Sequence, residues 1–184
     1  MLSVRPALLV LVAMLVALST SPLLAQQKRV SPHETITADI DGSAVTIVYG
    51  RPYTKDPKTG APRKIWGELV PFGKVWRTGA DEATLLTTKE TLDIGGTTVP
   101  AGTYSLFTLP DQDGAKLIVN KQTGQWGTKY DEKQDFARIP MTKTTFDKPV
   151  DQFTMALEKN PAGGGTLKLT WETTQYSVAL KAKK

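Results

Sequence analysis

Residues 35–49 read TITADIDGSAVTIVY, and the alternation in this stretch sets the fold class. Apolar and polar residues alternate over Thr35–Ile40 and again over Val45–Tyr49, with Asp41-Gly42 between the two runs. On an extended chain that spacing gives each run one apolar face, and an Asp-Gly pair between such runs is a strong hairpin signal. The segment therefore predicts two antiparallel strands.

The same grammar extends along the chain. Thr84–Thr88 and Thr91–Ile94 read as a further pair, and Gly95-Gly96 turns into a short strand at Thr97–Val99. Gly102–Leu109, GTYSLFTL, is a rich β-former run ending at Pro110, and Lys116–Asn120 follows across Asp113-Gly114. Arg138–Lys143, Phe153–Glu158, Leu167–Trp171 and Tyr176–Ala182 complete the set, with Pro161–Gly165 a loose hairpin loop. Leu167, Leu169 and Trp171 share a face, as do Phe153, Met155 and Leu157, and Val178 and Leu180. No window of a dozen residues sustains a helical period. About nine or ten short strands with regular turn signals predict an all-β, single-domain β-sandwich of Greek-key or jelly-roll kind. An up-and-down barrel is the alternative.

The first 25 residues follow a different pattern. Arg5 precedes an unbroken apolar run, Ala7–Leu18, and Ser19–Ala25 is a polar, Pro-containing exit ending in a small residue. This is the layout of a secretory signal peptide, and about 12 apolar residues fall short of the roughly 20 that a spanning helix needs. We expect cleavage near Ala25, an N-terminal extension over 26–34, the β-sandwich domain over 35–184, and a periplasmic or secreted protein with no transmembrane segment in its mature chain. Removing residues 1–25 from the 184 leaves 159, one domain's worth, which buries about 68–70% of its unfolded surface. The chain has no Cys, which excludes disulfides, thiol catalysis and thiolate metal sites. Its net charge of +5 is well mixed, and the one basic cluster is the tail Lys181, Lys183, Lys184. A frayed tail accounts for that cluster, so no nucleic-acid partner is expected.

Two connections exceed a tight turn: Gly50–Ala83 and Gln122–Ala137. Loops of this length in a compact domain are functional or serve as structural covers. The first contains IWGELVPFGKVWRTGADEAT at Ile65–Thr84, too apolar for a solvated loop and too irregular for a regular element. Its aromatics must pack on something and its charges must find water or partners. Tyr49, Tyr53, Trp66, Trp76, Tyr104, Trp126 and Tyr130 mostly lie in or beside these two loops. If the loops meet, Trp76 and Trp126 become walls of a pocket, Arg77 its anion or hydrogen-bond anchor, and Arg51, Tyr53, Asp81, Glu82 and Asn120 its supporting shell. The plainer alternatives are that the Trp residues seal the ends of the core and that Arg77 pairs with Asp81 or Glu82 to pin the loop.

Catalytic and metal chemistry find little support. His33 is the single histidine, so a multi-histidine metal site is excluded, and it reads as a surface or strand-capping residue. There is no G-x-S-x-G elbow. Gly163-Gly164-Gly165 precedes a strand rather than a helix, so it is no phosphate cradle. Asp131, Glu132 and Asp135 lack the alternating acidic spacing of calcium loops. Asp81 and Glu82 are adjacent, so both reach one substrate only if the backbone turns between them. No cofactor, metal or catalytic residue is predicted.

SPHET at Ser31–Thr35, GRPY at Gly50–Tyr53, the Ile65–Thr84 stretch, IGG at Ile94–Gly96 and PAGTYSLFTLP at Pro100–Pro110 occur in this order. The series Asn120, Lys121, Trp126, Gly127, Tyr130, Asp135 and Arg138 follows. Together they resemble the domain-of-unknown-function 2911 family of exported bacterial proteins. The resemblance implies a single exported domain and brings no activity and no catalytic residue. It also implies that Asn is common where this chain has Asp81, which disfavours a mechanism requiring a carboxylate there. The reading is thus non-catalytic binding of a sugar, peptide or anionic molecule. A hydrolase using Asp81 or Glu82, and a structural or partner-binding envelope protein, are the alternatives; oligomeric state is left open.

Overall fold

The structure, a computed structural model, describes residues 29–183; the expected signal peptide lies outside the described residues. Strands β1 (His33–Ile40) and β2 (Ser43–Gly50) pair antiparallel with Ile40 opposite Ser43. Asp41 and Gly42 take φ of 52° and 87°, the left-handed pair that a two-residue hairpin turn demands. β3 (Thr84–Thr88), β4 (Leu92–Ile94), β5 (Thr97–Val99), β6 (Gly102–Pro110) and β7 (Ala115–Asn120) follow. The chain ends with the long strands β8 (Asp135–Lys159) and β9 (Gly165–Ala182). The one helical turn among the described residues is a 3-10 turn at Glu132–Gln134.

The nine strands pair antiparallel throughout, in the order β1-β2-β3-β6-β7-β8-β9-β4-β5. β1 and β5 end the sheet, which therefore does not close into a barrel. It doubles over at β8 instead. Residues up to Met141 pair with β7, while Thr142–Lys159 pair with β9, with register shifts between Thr145 and Val150 and between Val150 and Thr154. Such irregularities bend and twist a strand and let it serve two layers. This is an all-β sandwich. Ile47, Leu86, Leu106 and Leu117 from one layer meet Phe153, Met155, Leu169 and Trp171 from the other, all essentially solvent-free.

Three expectations change. β3 and β4 are not partners: β3 lies between β2 and β6, while β4 joins β9 and β5 on the other layer. Thr88-Lys89-Glu90-Thr91 offers no positive-φ residue for a tight hairpin, and the chain crosses between layers there. The two strands expected at 138–143 and 153–158 are one, because Asp147-Lys148-Pro149 is absorbed as a bulge in β8. The last two strands also merge; Glu172, at φ 50°, takes up the kink.

The layers are cross-stitched near β1. The Tyr49 hydroxyl donates to Glu34 Oε2 (2.8 Å) and accepts from the Met155 amide (2.9 Å). Burial pushes this phenol up to about 12, the nearby Glu34 adding to the rise and the Met155 amide opposing it. The stretch before β1 is also tied down: the Val30 and Ser31 amides donate to the Asp81 carboxylate at 3.3 and 3.1 Å.

Candidate functional site

Adjacent apolar residues on β6 and β7 break the period of two. Leu106 points into the main core, so Phe107 must face outward, and the same holds for Ile118 between Leu117 and Val119. Phe107 and Ile118 are nonetheless buried, with Ala83, under Val75, Leu109 and Tyr130. The outer face of this layer therefore carries a second, smaller core, and the two long loops cover it.

The first loop reaches this face by extending the sheet. Trp76 and Thr108 exchange backbone hydrogen bonds of 2.8 and 2.9 Å, placing Trp76 beside β6 just beyond the Thr84–Leu106 pair of β3. Between them the chain bulges outward: Thr78 (φ 52°), Gly79 (147°) and Asp81 (64°) all lie in left-handed space. Thr78 is buried, with its hydroxyl 2.7 Å from that of Thr108, and Thr84 Oγ1 donates to the Thr78 carbonyl.

The second loop folds back onto that bulge. The Gly127 amide donates to the Asp81 carbonyl at 2.8 Å and the Ala83 amide to the Gln125 carbonyl at 3.1 Å, so the strand-like pairing runs through Glu82 and Trp126. Asn120 anchors the base. Its amide group donates to the Asp131 carbonyl and Asp135 Oδ1, both at 2.9 Å, and its carbonyl oxygen accepts from the Gln122 amide. Asp135 also receives the Tyr130 hydroxyl (2.6 Å) and Arg138 Nε (2.9 Å). Burial and then the Asp135 hydrogen bond raise Tyr130 to about 12, and that same carboxylate holds Arg138 above its ordinary value. The Tyr130 ring is thereby fixed 4.8 Å from that of Phe107.

Where the loops meet there is a cavity of about 380 Å³. Trp76, Trp171, Phe107 and Tyr130 supply its aromatic wall, with Val75, Leu69, Pro52 and Pro71 beside them; Arg63, Arg77 and Thr128 are its polar and charged side chains. Trp76 stacks on Trp171 at 5.9 Å and meets Phe153 edge-on at 5.0 Å, so it both seals the core and faces the cavity. Arg77 is half-buried. Its Nε donates to the Gly79 carbonyl at 3.3 Å, and among the described residues its two terminal nitrogens have neither a hydrogen bond nor an ion pair. Burial pushes the guanidinium below its usual value, with Asp81 opposing the effect. A second recess of about 310 Å³ adjoins, sharing Pro52, Arg63 and Arg77 and adding Tyr53, Lys55, Lys58, Asp56 and Asp81.

The eight expected site residues thus divide. Trp76 and Arg77 line the cavity; Tyr53 and Asp81 line the adjoining recess. Trp126 joins the loops through its backbone, and its loop offers Gly127, Thr128 and Tyr130 to the cavity instead. Arg51 is drawn to the layer junction, bonding the Phe153 carbonyl (3.2 Å), Thr154 Oγ1 (2.9 Å) and Glu34 (3.0 Å). Asn120 is fully buried in its anchoring role. The expected ion pair of Arg77 with Asp81 or Glu82 is not formed; Glu82 takes Arg29 at 2.8 Å, and His33 Nε2 lies 3.3 Å from Asp81 and 3.5 Å from Glu82. The turn at Asp81 does bring both carboxylates to one point, and that point is His33. Arg63, Leu69, Phe107, Thr128 and Trp171 were not singled out from the sequence. The Leu106-Phe107 doublet was the signal that the outer face is covered.

Sandwich, loop cover and cavity together define an all-β domain with an aromatic-walled recess built jointly by two distant loops. The chain matches the family model described as "Protein of unknown function (DUF2911)" over residues 31–180, and it belongs to that family. Neither a curated protein nor a solved structure matches it.

Proposed function

We propose that the exported protein is a non-catalytic binding module that holds a small molecule in the cavity between the two loops. Export rests on the pattern of residues 1–25. The binding reading rests on one observation: Arg77, half-buried and with free terminal nitrogens among the described residues, borders an aromatic-walled cavity completed by the second loop. Its volume falls in the range of about 300–1,000 Å³ typical of small-molecule sites. Leu69, 44% exposed at the rim, and Tyr53, 43% exposed in the adjoining recess, are two of the few large hydrophobics left open. The carboxylates that a hydrolase would use are engaged with Val30, Ser31, His33 and Arg29, which favours binding over turnover.

A bound ligand stabilises the folded state by RT ln(1 + [L]/Kd), about 2.7 kcal/mol at a hundredfold excess over Kd. Thermal unfolding across a small-molecule panel should therefore yield compounds that raise Tm. Thr128 is exposed at the rim, so Thr128→Trp should fold normally and lose that response. A variant responding like the native protein would place the ligand elsewhere and defeat the reading.

A further inference from the structure

The side chains bordering the cavity are rich in donors and poor in acceptors. Tyr130 directs its hydroxyl proton to Asp135 and accepts there from Arg138 (3.0 Å), and the Trp171 indole donates to the Asp151 carbonyl (3.4 Å). What remains for a ligand among the described side chains is the unengaged guanidinium nitrogens of Arg63 and Arg77, the Thr128 hydroxyl and the Trp76 indole N–H. Among the described residues no carboxylate borders this space. Among the described residues Arg63 donates hydrogen bonds only to carbonyls, those of Tyr53 and Thr54. Four basic side chains and two acidic ones border the adjoining recess, and both acids are already engaged. Asp56 accepts the Thr59 and Lys58 amides, which hold its carboxyl below the usual range, and Asp81 accepts from Val30 and Ser31.

A sugar needs both donors and acceptors along its length, and this lining has too few acceptors to match it. A half-buried guanidinium that no carboxylate of the described residues contacts, Asp81 acting on it only from a distance, wants an anion. Broad aromatic and aliphatic walls want an apolar body. From this we infer that the ligand is a small amphiphilic carboxylate, its apolar body against Trp76 and Phe107 and its charge on Arg77. This rests on the binding reading above and narrows it. The carboxylate has two chemical sources, an acyl chain or an aromatic ring, with the same recognition.

Paired ligands differing only in charge test it on the native protein. Decanoate against decanol and decyltrimethylammonium, and naphthoate against naphthol, would be titrated at neutral pH. Binding would be followed by tryptophan fluorescence and thermal unfolding. A charge-assisted hydrogen bond corresponds to about a 10- to 100-fold preference for the carboxylate, with the cation bound more weakly than the alcohol. The preference should vanish in Arg77→Gln and be reduced but not lost in Arg77→Lys. Preference in the decanoate pair alone identifies an acyl ligand, in the naphthoate pair alone an aromatic one; either supports the inference. If alcohols and carboxylates bind equally, the inference fails while the cavity remains a binding site. If none of the five binds, both this inference and the binding reading fail. Should Arg77→Gln not fold, the charge series on the native chain still decides.

Discussion

The backbone of Gly127 lies against the side chain of Arg77: a Cβ at position 127 would stand 2.7 Å from Arg77 Cδ and 2.9 Å from its Cβ. The second loop can approach this closely because residue 127 has no side chain, and the approach brings Thr128 and Tyr130 to the cavity. The Asp81 carbonyl, also 2.9 Å from that position, is backbone and cannot step aside.

Gly127→Ala should therefore strain the junction, costing about 1–3 kcal/mol as overpacking does. Thermal or urea unfolding measures the loss. Wild-type stability in this variant would mean that the loops are less tightly apposed than described.

Tyr49 and Tyr176 make a contrasting pair. Both are almost completely buried, but Tyr49 bridges Glu34 and the Met155 amide while the Tyr176 hydroxyl has no partner among the described residues. Tyr49→Phe leaves a buried amide unpaired and should destabilise by about 1–3 kcal/mol, whereas Tyr176→Phe removes an unmatched hydroxyl and should be neutral or stabilising. Denaturant midpoints of the two variants check both signs.

Alkali should weaken the fold through these phenols. Tyr49, Tyr130 and Tyr176 are each raised from 10.0 to about 12, chiefly by burial. Each raised group contributes stability that is complete below its unfolded value of 10.0. Above that the unfolded chain releases protons first, so stability falls as pH climbs through about 12. Unfolding free energy followed over that window should decline, and less steeply in Tyr176→Phe.

Asp81 combines a left-handed backbone with a carboxylate that receives two amides and faces His33. Asp81→Ala should cost about 1–3 kcal/mol, from the lost acceptors and the strain of Ala at positive φ. Hydrogen exchange at Val30 and Ser31 should quicken in that variant. Asp81→Asn keeps an acceptor oxygen and tolerates the conformation, so it should lie close to the native protein.

Much of the fold was legible because its cause is local. The Asp41-Gly42 and Asp113-Gly114 hairpins and the alternating faces of 153–157 and 167–171 follow from turn chemistry and the period of two. What was hidden depended on distant pairing. That Thr88 ends one layer and Leu92 starts the other is decided by β9, whose Leu180 pairs with Ile94 from 86 residues further along the chain. Chemistry alone marked Arg51 and Asn120 as arms of a site. Each is engaged at every side-chain nitrogen or oxygen by partners that only tertiary structure reveals. Arg77 differs because its neighbours in sequence, Asp81 and Glu82, face the N-terminal segment instead.

Amide NMR shifts during titration of the isotopically labelled protein with decanoate or naphthoate test the shared cavity most directly. The account predicts that Trp76, Arg77, Gly127 and Thr128 move together with one saturation curve, while Val48 and Leu85, which line a different recess, stay still. Shifts confined to one loop, or centred on Val48 and Leu85, would contradict it.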